Sequence, residues 1–92
     1  MIQFLMHGTR DNVAVAVVDI KKGDKGVCMN LDTREKKDIT ALSDIPLGHK
    51  IALADFKVDD TIFKYDNDIG RVVAPIKKGE HVHVHNVKTK RW

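Results

Sequence analysis

The sequence predicts a mostly β fold built from short strands, and three observations carry that expectation. A degenerate strand–turn–strand unit recurs along the chain. Turn-forming residues punctuate it at short intervals, and the apolar positions favour Val, Ile and Phe, which suit a pleated, half-buried surface. No long stretch shows the 3.6-residue periodicity of an amphipathic helix.

The repeat is clearest in Val15-Ala-Val-Val-Asp-Ile-Lys-Lys-Gly-Asp24, echoed by Ile51-Ala-Leu-Ala-Asp-Phe-Lys-Val-Asp-Asp60 and by Val72-Val-Ala-Pro-Ile-Lys-Lys-Gly-Glu80. Each copy is an apolar strand, an Asp or Pro corner, one Ile or Phe expected to be buried, and a polar turn. Gly23 and Gly79 supply the permissive backbone that such a turn wants, with Asp59 in their place in the middle copy. Further strands are expected after each turn, over Gly26 to Asn30, Thr61 to Tyr65 and His81 to Val87. The corners Asp19, Asp55 and Pro75 lie 36 and then 20 residues apart, so no solenoid with a fixed period is expected. The polar run 31–40 reads as a hairpin tip or loop. Within it, Asp38 to Leu42 could make one helical turn, with Ser43 or Asp44 as a cap before Pro46. Pro46-Leu-Gly-His-Lys50 reads as a second loop. No linker divides the chain, so residues 1–92 form one domain.

Composition bounds the function. Ninety-two residues support one modest core. A formal charge of +3, from sixteen Lys and Arg against thirteen acids, is too weak to announce nucleic acid. The three Phe, one Tyr and one Trp do not interleave with the basic residues. An anionic small molecule or an acidic partner surface fits that charge better. The longest apolar run, Val13 to Val18, falls far short of the roughly 18 residues of a membrane span. The N-terminus lacks a secretory pattern, and a single cysteine, Cys28, suits a reducing compartment; both point to the cytoplasm. Cys28 reads as a small semi-buried strand residue.

The feature richest in chemistry is Gly79-Glu-His-Val-His-Val-His-Asn86. On a regular strand, His81, His83 and His85 would line one face, with Val82 and Val84 buried on the other. Neighbours on such a face lie about 6.5–7 Å apart, close enough for two imidazoles to meet one metal ion or anion. A solvated, His-rich strand face is the alternative. His49 and Lys50 share a Gly-containing loop that could present imidazole and ammonium together. His7, Asp11 and Asn12 form a polar cluster ahead of the first buried strand, where Asp and Asn commonly cap turns. Asn86 reads as a residue that satisfies backbone.

His7, Asp11-Asn-Val-Ala-Val-Ala16, Ile45-Pro-Leu-Gly-His-Lys-Ile-Ala-Leu53, Phe63-Lys-Tyr65, Ile69-Gly70 and the closing histidine run together resemble the small domain of altronate and galactarate dehydratases and of sulfolactate sulfo-lyases. That domain is called SAF and is similar to type III antifreeze proteins in its β-clip fold. The resemblance runs from His7 to Lys90. It implies a β-clip with at most one or two short helical turns, acting as the small subunit, or N-terminal domain, of a metal-dependent carbon–oxygen or carbon–sulfur lyase. Its partner would be a large catalytic subunit, and the chain alone would be inactive. The substrate would be a sugar acid such as altronate, dehydrated by a hydro-lyase, or sulfolactate, which loses sulfite. The cofactor suggested is a divalent metal, iron(II) or manganese(II). On this reading His49, His83 and His85 are the candidate catalytic residues and His81, His83 and His85 the candidate metal ligands. Lys50, Lys64, Asp11 and Asn12 are the candidate substrate contacts. A non-catalytic carbohydrate- or anion-binding module is the alternative.

Overall fold

The computed structural model describes residues 2–8, 11–64 and 67–89. Nine strands follow in order: β1 (Phe4–Met6), β2 (Val13–Ala16), β3 (Lys25–Asn30), β4 (Lys36–Thr40), β5 (Lys50–Ala52), β6 (Thr61–Lys64), β7 (Asn67–Val72), β8 (His81–Val82) and β9 (Val87–Thr89). Among the described residues there is no helix, hence none long and apolar enough to cross a membrane. The mostly β expectation holds, in keeping with a β-clip-like domain.

Six strands form one sheet in the order β4-β3-β1-β2-β5-β8, and three form another in the order β6-β7-β9. Only β1 and β3 pair in parallel; the other pairs are antiparallel. Asn12, just ahead of β2, ties the first sheet to the second. Its side-chain amide donates to the Thr61 carbonyl, its side-chain oxygen accepts from the Phe63 amide, and its backbone amide donates to the Phe63 carbonyl.

Two corrections follow. Asp38 to Leu42 is not a helical turn, because residues 36–40 pair with β3 from Lys25↔Thr40 to Met29↔Lys36. Only Ile39 of β4 is buried, so a strand with one inward side chain looks in sequence like a loop. The strand expected over His81 to Val87 stops at Val82, and residues 83–86 turn instead. Asn86 is the cause. Its side-chain oxygen accepts from the His83 amide, its side-chain amide donates to the His81 carbonyl, and its backbone amide donates to the His83 carbonyl. Val84 therefore projects into solvent, 76% exposed, rather than burying.

The repeat has four copies, not three: residues 17–24, 42–49, 53–60 and 73–80. They pair two by two. Ile20 and Ile45 exchange both backbone hydrogen bonds at 2.9 Å, and Phe56 and Ile76 do so at 2.7 and 3.0 Å. The first pair is cross-braced by Asp19, which accepts from the Leu47 amide, and Asp44, which accepts from the Lys22 amide. Asp55 accepts from the Lys78 amide in the second pair. In three copies the last residue, an acid, caps the amide at the start of its own turn: Asp24 to Lys21, Asp60 to Lys57 and Glu80 to Lys77. In the copy at 42–49 that amide belongs to Pro46, which has no N–H to cap, and His49 occupies the acid's place.

Two apolar clusters lie beneath these corners. Ile20 and Ile45 pack with Phe4, Cys28, Ile39 and Ile51, while Phe56 and Ile76 pack with Val13, Ile62, Val72 and Val82. Each corner residue thus anchors one core, and the β2–β5 pairing joins the two.

Gly23 and Gly79 have φ of 91° and 93°, outside the range comfortable for an L-residue. A Cβ at Gly23 meets no atom, whereas one at Gly79 would collide with the Thr40 carbonyl oxygen. Thermal unfolding is expected to show Gly23→Ala costing about 1–2 kcal/mol. Gly79→Ala, strained and overpacked, costs about 3 kcal/mol or more. Burial pushes the Cys28 thiol up to about 11, against a smaller opposing pull from Lys37. The native state thus holds a proton that the unfolded thiol, near 9, releases, so stability present below pH 9 is lost as pH rises toward 11. Denaturant midpoints should fall over that window more steeply in the wild type than in Cys28→Ala.

Candidate functional site

The pairing of β5 with β8 builds the site. Its register, Ile51↔His81 and Lys50↔Val82, extends by one pair to set His49 opposite His83. The two rings stack at 4.0 Å with planes 20° apart. His81 lies diagonally across, its ring 5.0 Å from that of His49, with His49 Nδ1 2.8 Å from His81 Nε2. One of these nitrogens donates and the other accepts, so a shared proton fixes both rings. His49, His81 and His83 each offer a nitrogen within 4.8 Å of the others'. All three side chains are partly buried.

His85 is exposed. Its ring lies 5.2 Å from that of His81, tilted by 40°, but it stands outside the group of three. The alternation in sequence thus points to two of the three clustered imidazoles, and the third arrives from β5. His49 is a candidate on residue type alone, and recognition of residues 42–49 as a repeat copy would have grouped it with His81 and His83. His49 then falls at the position of Glu80, next to the position of His81.

Burial and the surrounding imidazoles and Lys50 lower the His81 pKa to about 4. His83 is lowered as well, by burial and then by His49, Lys50 and His85. A histidine held neutral keeps a lone pair available for a metal or a proton. Lys50, from β5, has its pKa lowered by burial and by the charge of Lys64. Two ammonium groups that repel one another are an arrangement that an anion relieves. A cavity of about 130 Å³ opens here, lined by Lys50, Ile69, His83, Val84 and Val87.

The remaining candidates lie elsewhere. Both polar atoms of the Asn12 side chain are committed to β6. Asp11 is buried and accepts from the His7 amide at 3.0 Å. His7 itself approaches Asp32, with 3.5 Å between Nδ1 and Oδ1, while Asp32 also accepts from the Gly8 amide. Asp11 and Asn12 border a larger cavity of about 340 Å³ that shares no lining residue with the histidine group. The structure brings His49, Lys50, His81 and His83 together, with Lys64 near enough for its charge to act on Lys50, and sets Asp11 and Asn12 at the separate cavity. Tyr65, also part of the sequence resemblance, lies outside the described residues.

Three imidazole nitrogens within reach of one another suit a borderline divalent cation such as iron(II) better than one that prefers oxygen. The donor set therefore fits the divalent metal implied by the sequence resemblance.

Comparison with known proteins agrees with this geometry. Residues 2–90 match the family model of the altronate/galactarate dehydratase SAF domain. The chain is 46% identical over 92 residues to the (2R)-sulfolactate sulfo-lyase subunit alpha of Chromohalobacter salexigens, covering 99% of this chain and 98% of that subunit. It is 56% identical over 54 residues to the corresponding subunit of Paracoccus pantotrophus, covering 59% of this chain and 81% of that one. It is also 40% identical over 89 residues to the altronate dehydratase of Bacillus subtilis, covering 97% of this chain but only 17% of that enzyme. The chain belongs to the altronate/galactarate dehydratase SAF-domain family, and it matches the small subunit of a lyase.

Proposed function

We propose that this chain is the alpha subunit of a cytoplasmic (2R)-sulfolactate sulfo-lyase, and that it works with a large partner subunit on an anionic hydroxy acid. The observation that carries this reading is the convergence of His49, His81 and His83 beside Lys50. Sulfolactate has a carboxylate at one end and a sulfonate at the other, so it suits a site with cationic flanks. The higher identity to sulfo-lyase alpha subunits than to altronate dehydratase favours loss of sulfite over loss of water.

In the elimination, a base takes the proton alpha to the carboxylate. The electrons of that C–H bond form the new double bond, and sulfite leaves from the neighbouring carbon with the C–S pair. A neutral imidazole within reach of the substrate can accept such a proton. With His49, His81 and His83 placed as metal ligands, His85, exposed beside His81, is the candidate base from this chain. Lys50 and Lys64 would hold the substrate's anionic groups and oppose charge build-up on the carboxylate as the proton leaves. A divalent metal, for which these imidazoles suit iron(II) better than manganese(II), would be held by His49, His81 and His83 and would supply Lewis-acid stabilisation of the enediolate. The 130 Å³ cavity is smaller than the roughly 300–1,000 Å³ of ordinary ligand pockets, which supports enclosure of the substrate by a partner and inactivity of the chain alone.

Dehydration of a sugar acid is the second reading, favoured by the 40% identity to the altronate dehydratase. Reconstitution with the large subunit, followed by assay of sulfite release from (2R)-sulfolactate and of water loss from altronate and galactarate, separates the two. Sulfite release alone is the expected result. No turnover of any of these would leave the chain a non-catalytic anion-binding module.

Anaerobic titration of the isolated chain with iron(II) is expected to show one site. His49→Ala, His81→Ala and His83→Ala should each weaken it tenfold or more, since loss of even an outer-shell partner commonly costs that much. His85→Ala should weaken it less. In the reconstituted enzyme His83→Ala is expected to lower kcat by about 10²-fold or more. Activity within twofold of the wild type would remove His83 from the reaction.

A further inference from the structure

Among the described residues, the two most exposed large apolar side chains are Val84, at 76%, and Leu47, at 62%. Both sit on the turns that present the imidazoles. Leu47 is two residues before His49, and Val84 lies between His83 and His85. Neither turn needs an apolar residue there. The turn positions equivalent to Leu47 in the other copies hold Lys22, Val58 and Lys78. Leu47 is held outward by its own backbone, whose amide donates to Asp19 across the corner pair. Val84 is held outward by the Asn86 turn. Rigid turns that expose apolar tips at low entropic cost are suited to anchoring a partner. Val84 also lines the 130 Å³ cavity, which runs past Ile69 and Val87 to His83 and Lys50.

We infer that Leu47 and Val84 are paired anchors that seat the lyase's large subunit over the histidine site, so that the site closes at the interface between the two chains. This rests on the lyase-subunit reading above. The relatives supply the choice of occupant. Those in Chromohalobacter and Paracoccus are named as subunits alpha, and in the altronate dehydratase the matching region is 17% of one longer chain, so further protein accompanies this domain in each case. The partner surface must offer two apolar sockets and leave Lys50 and the imidazoles between them open to the anionic substrate. Small apolar anchors surrounding a polar site exclude water from it, as residues around an interface hot spot do. Seating there would enclose a substrate that the shallow cavity of this chain cannot.

The test uses the full chain, tagged, with the large subunit purified separately, and measures their binding together with the isolated chain's affinity for iron(II). Leu47→Ser and Val84→Ser are exposed changes that should leave the melting temperature and the iron(II) affinity within twofold of wild type. Each is expected to weaken large-subunit binding by tenfold or more, and the double variant by a hundredfold. Val58→Ser, an equally conservative change at an exposed apolar turn residue away from the imidazoles, is expected to leave binding unchanged. Wild-type binding by the double variant would overturn the proposal, as would an equal loss in Val58→Ser. If the wild-type chain instead forms a dimer that Leu47→Ser and Val84→Ser dissociate, the occupant is a second copy and the proposal fails. Failure of the lyase reading has a different signature. There the wild-type pair, once bound, turns over none of the three acids, while the anchor variants still lose binding.

Discussion

The reciprocal pairing of corners holds this domain together. Strands as short as two to six residues bury too little to stand alone, and a sheet of such strands needs a frame. Here the frame is two pairs of similarly built bends. Each pair exchanges two backbone hydrogen bonds between buried Ile or Phe residues and seats those side chains in its own core. Braces from Asp19, Asp44 and Asp55 occupy amides that would otherwise face solvent unpaired. Because the brace from one copy reaches the turn of the other, neither bend can shift alone. Strands β5 and β8 leave these bends directly, and the imidazoles ride on that junction.

Much of this was legible in the sequence, and its limits have physical causes. Three copies of the bend show themselves through an Asp or Pro corner, a buried apolar residue and an acid after a turn. The fourth hides because Pro46 changes which group needs capping, which erases the acid that marks the others. Strand β4 hides because its one inward residue, Ile39, cannot produce an alternation. The histidine run misleads in the opposite sense. Its period of two is a strand signal, yet one residue, Asn86, makes three hydrogen bonds with the backbone around it, two of them through its side chain, and the chain turns after Val82.

The site divides along the same lines. That histidines and Lys50 are candidates is a matter of residue type and was open to inspection. That His49 meets His83 depends on register between segments more than thirty residues apart, which composition does not encode. Asp11 and Asn12 look in sequence like ligands because polar side chains before a buried strand serve either role. In the structure both hydrogen-bond to backbone groups, of β6 and of the His7 loop, and both line the larger cavity.

Pro46 has a reach beyond its own turn. In the other three copies an amide hydrogen at that position draws in a carboxylate, and with it a negative charge at the exit of the bend. Had the fourth bend kept its amide, the residue at 49 would have been held as an acid, one hydrogen-bond length from His81. Such a carboxylate would hold the neighbouring imidazole protonated and repel any approaching carboxylate or sulfonate. The absence of one hydrogen atom thus goes with an imidazole, in place of a carboxylate, at this corner of the molecule.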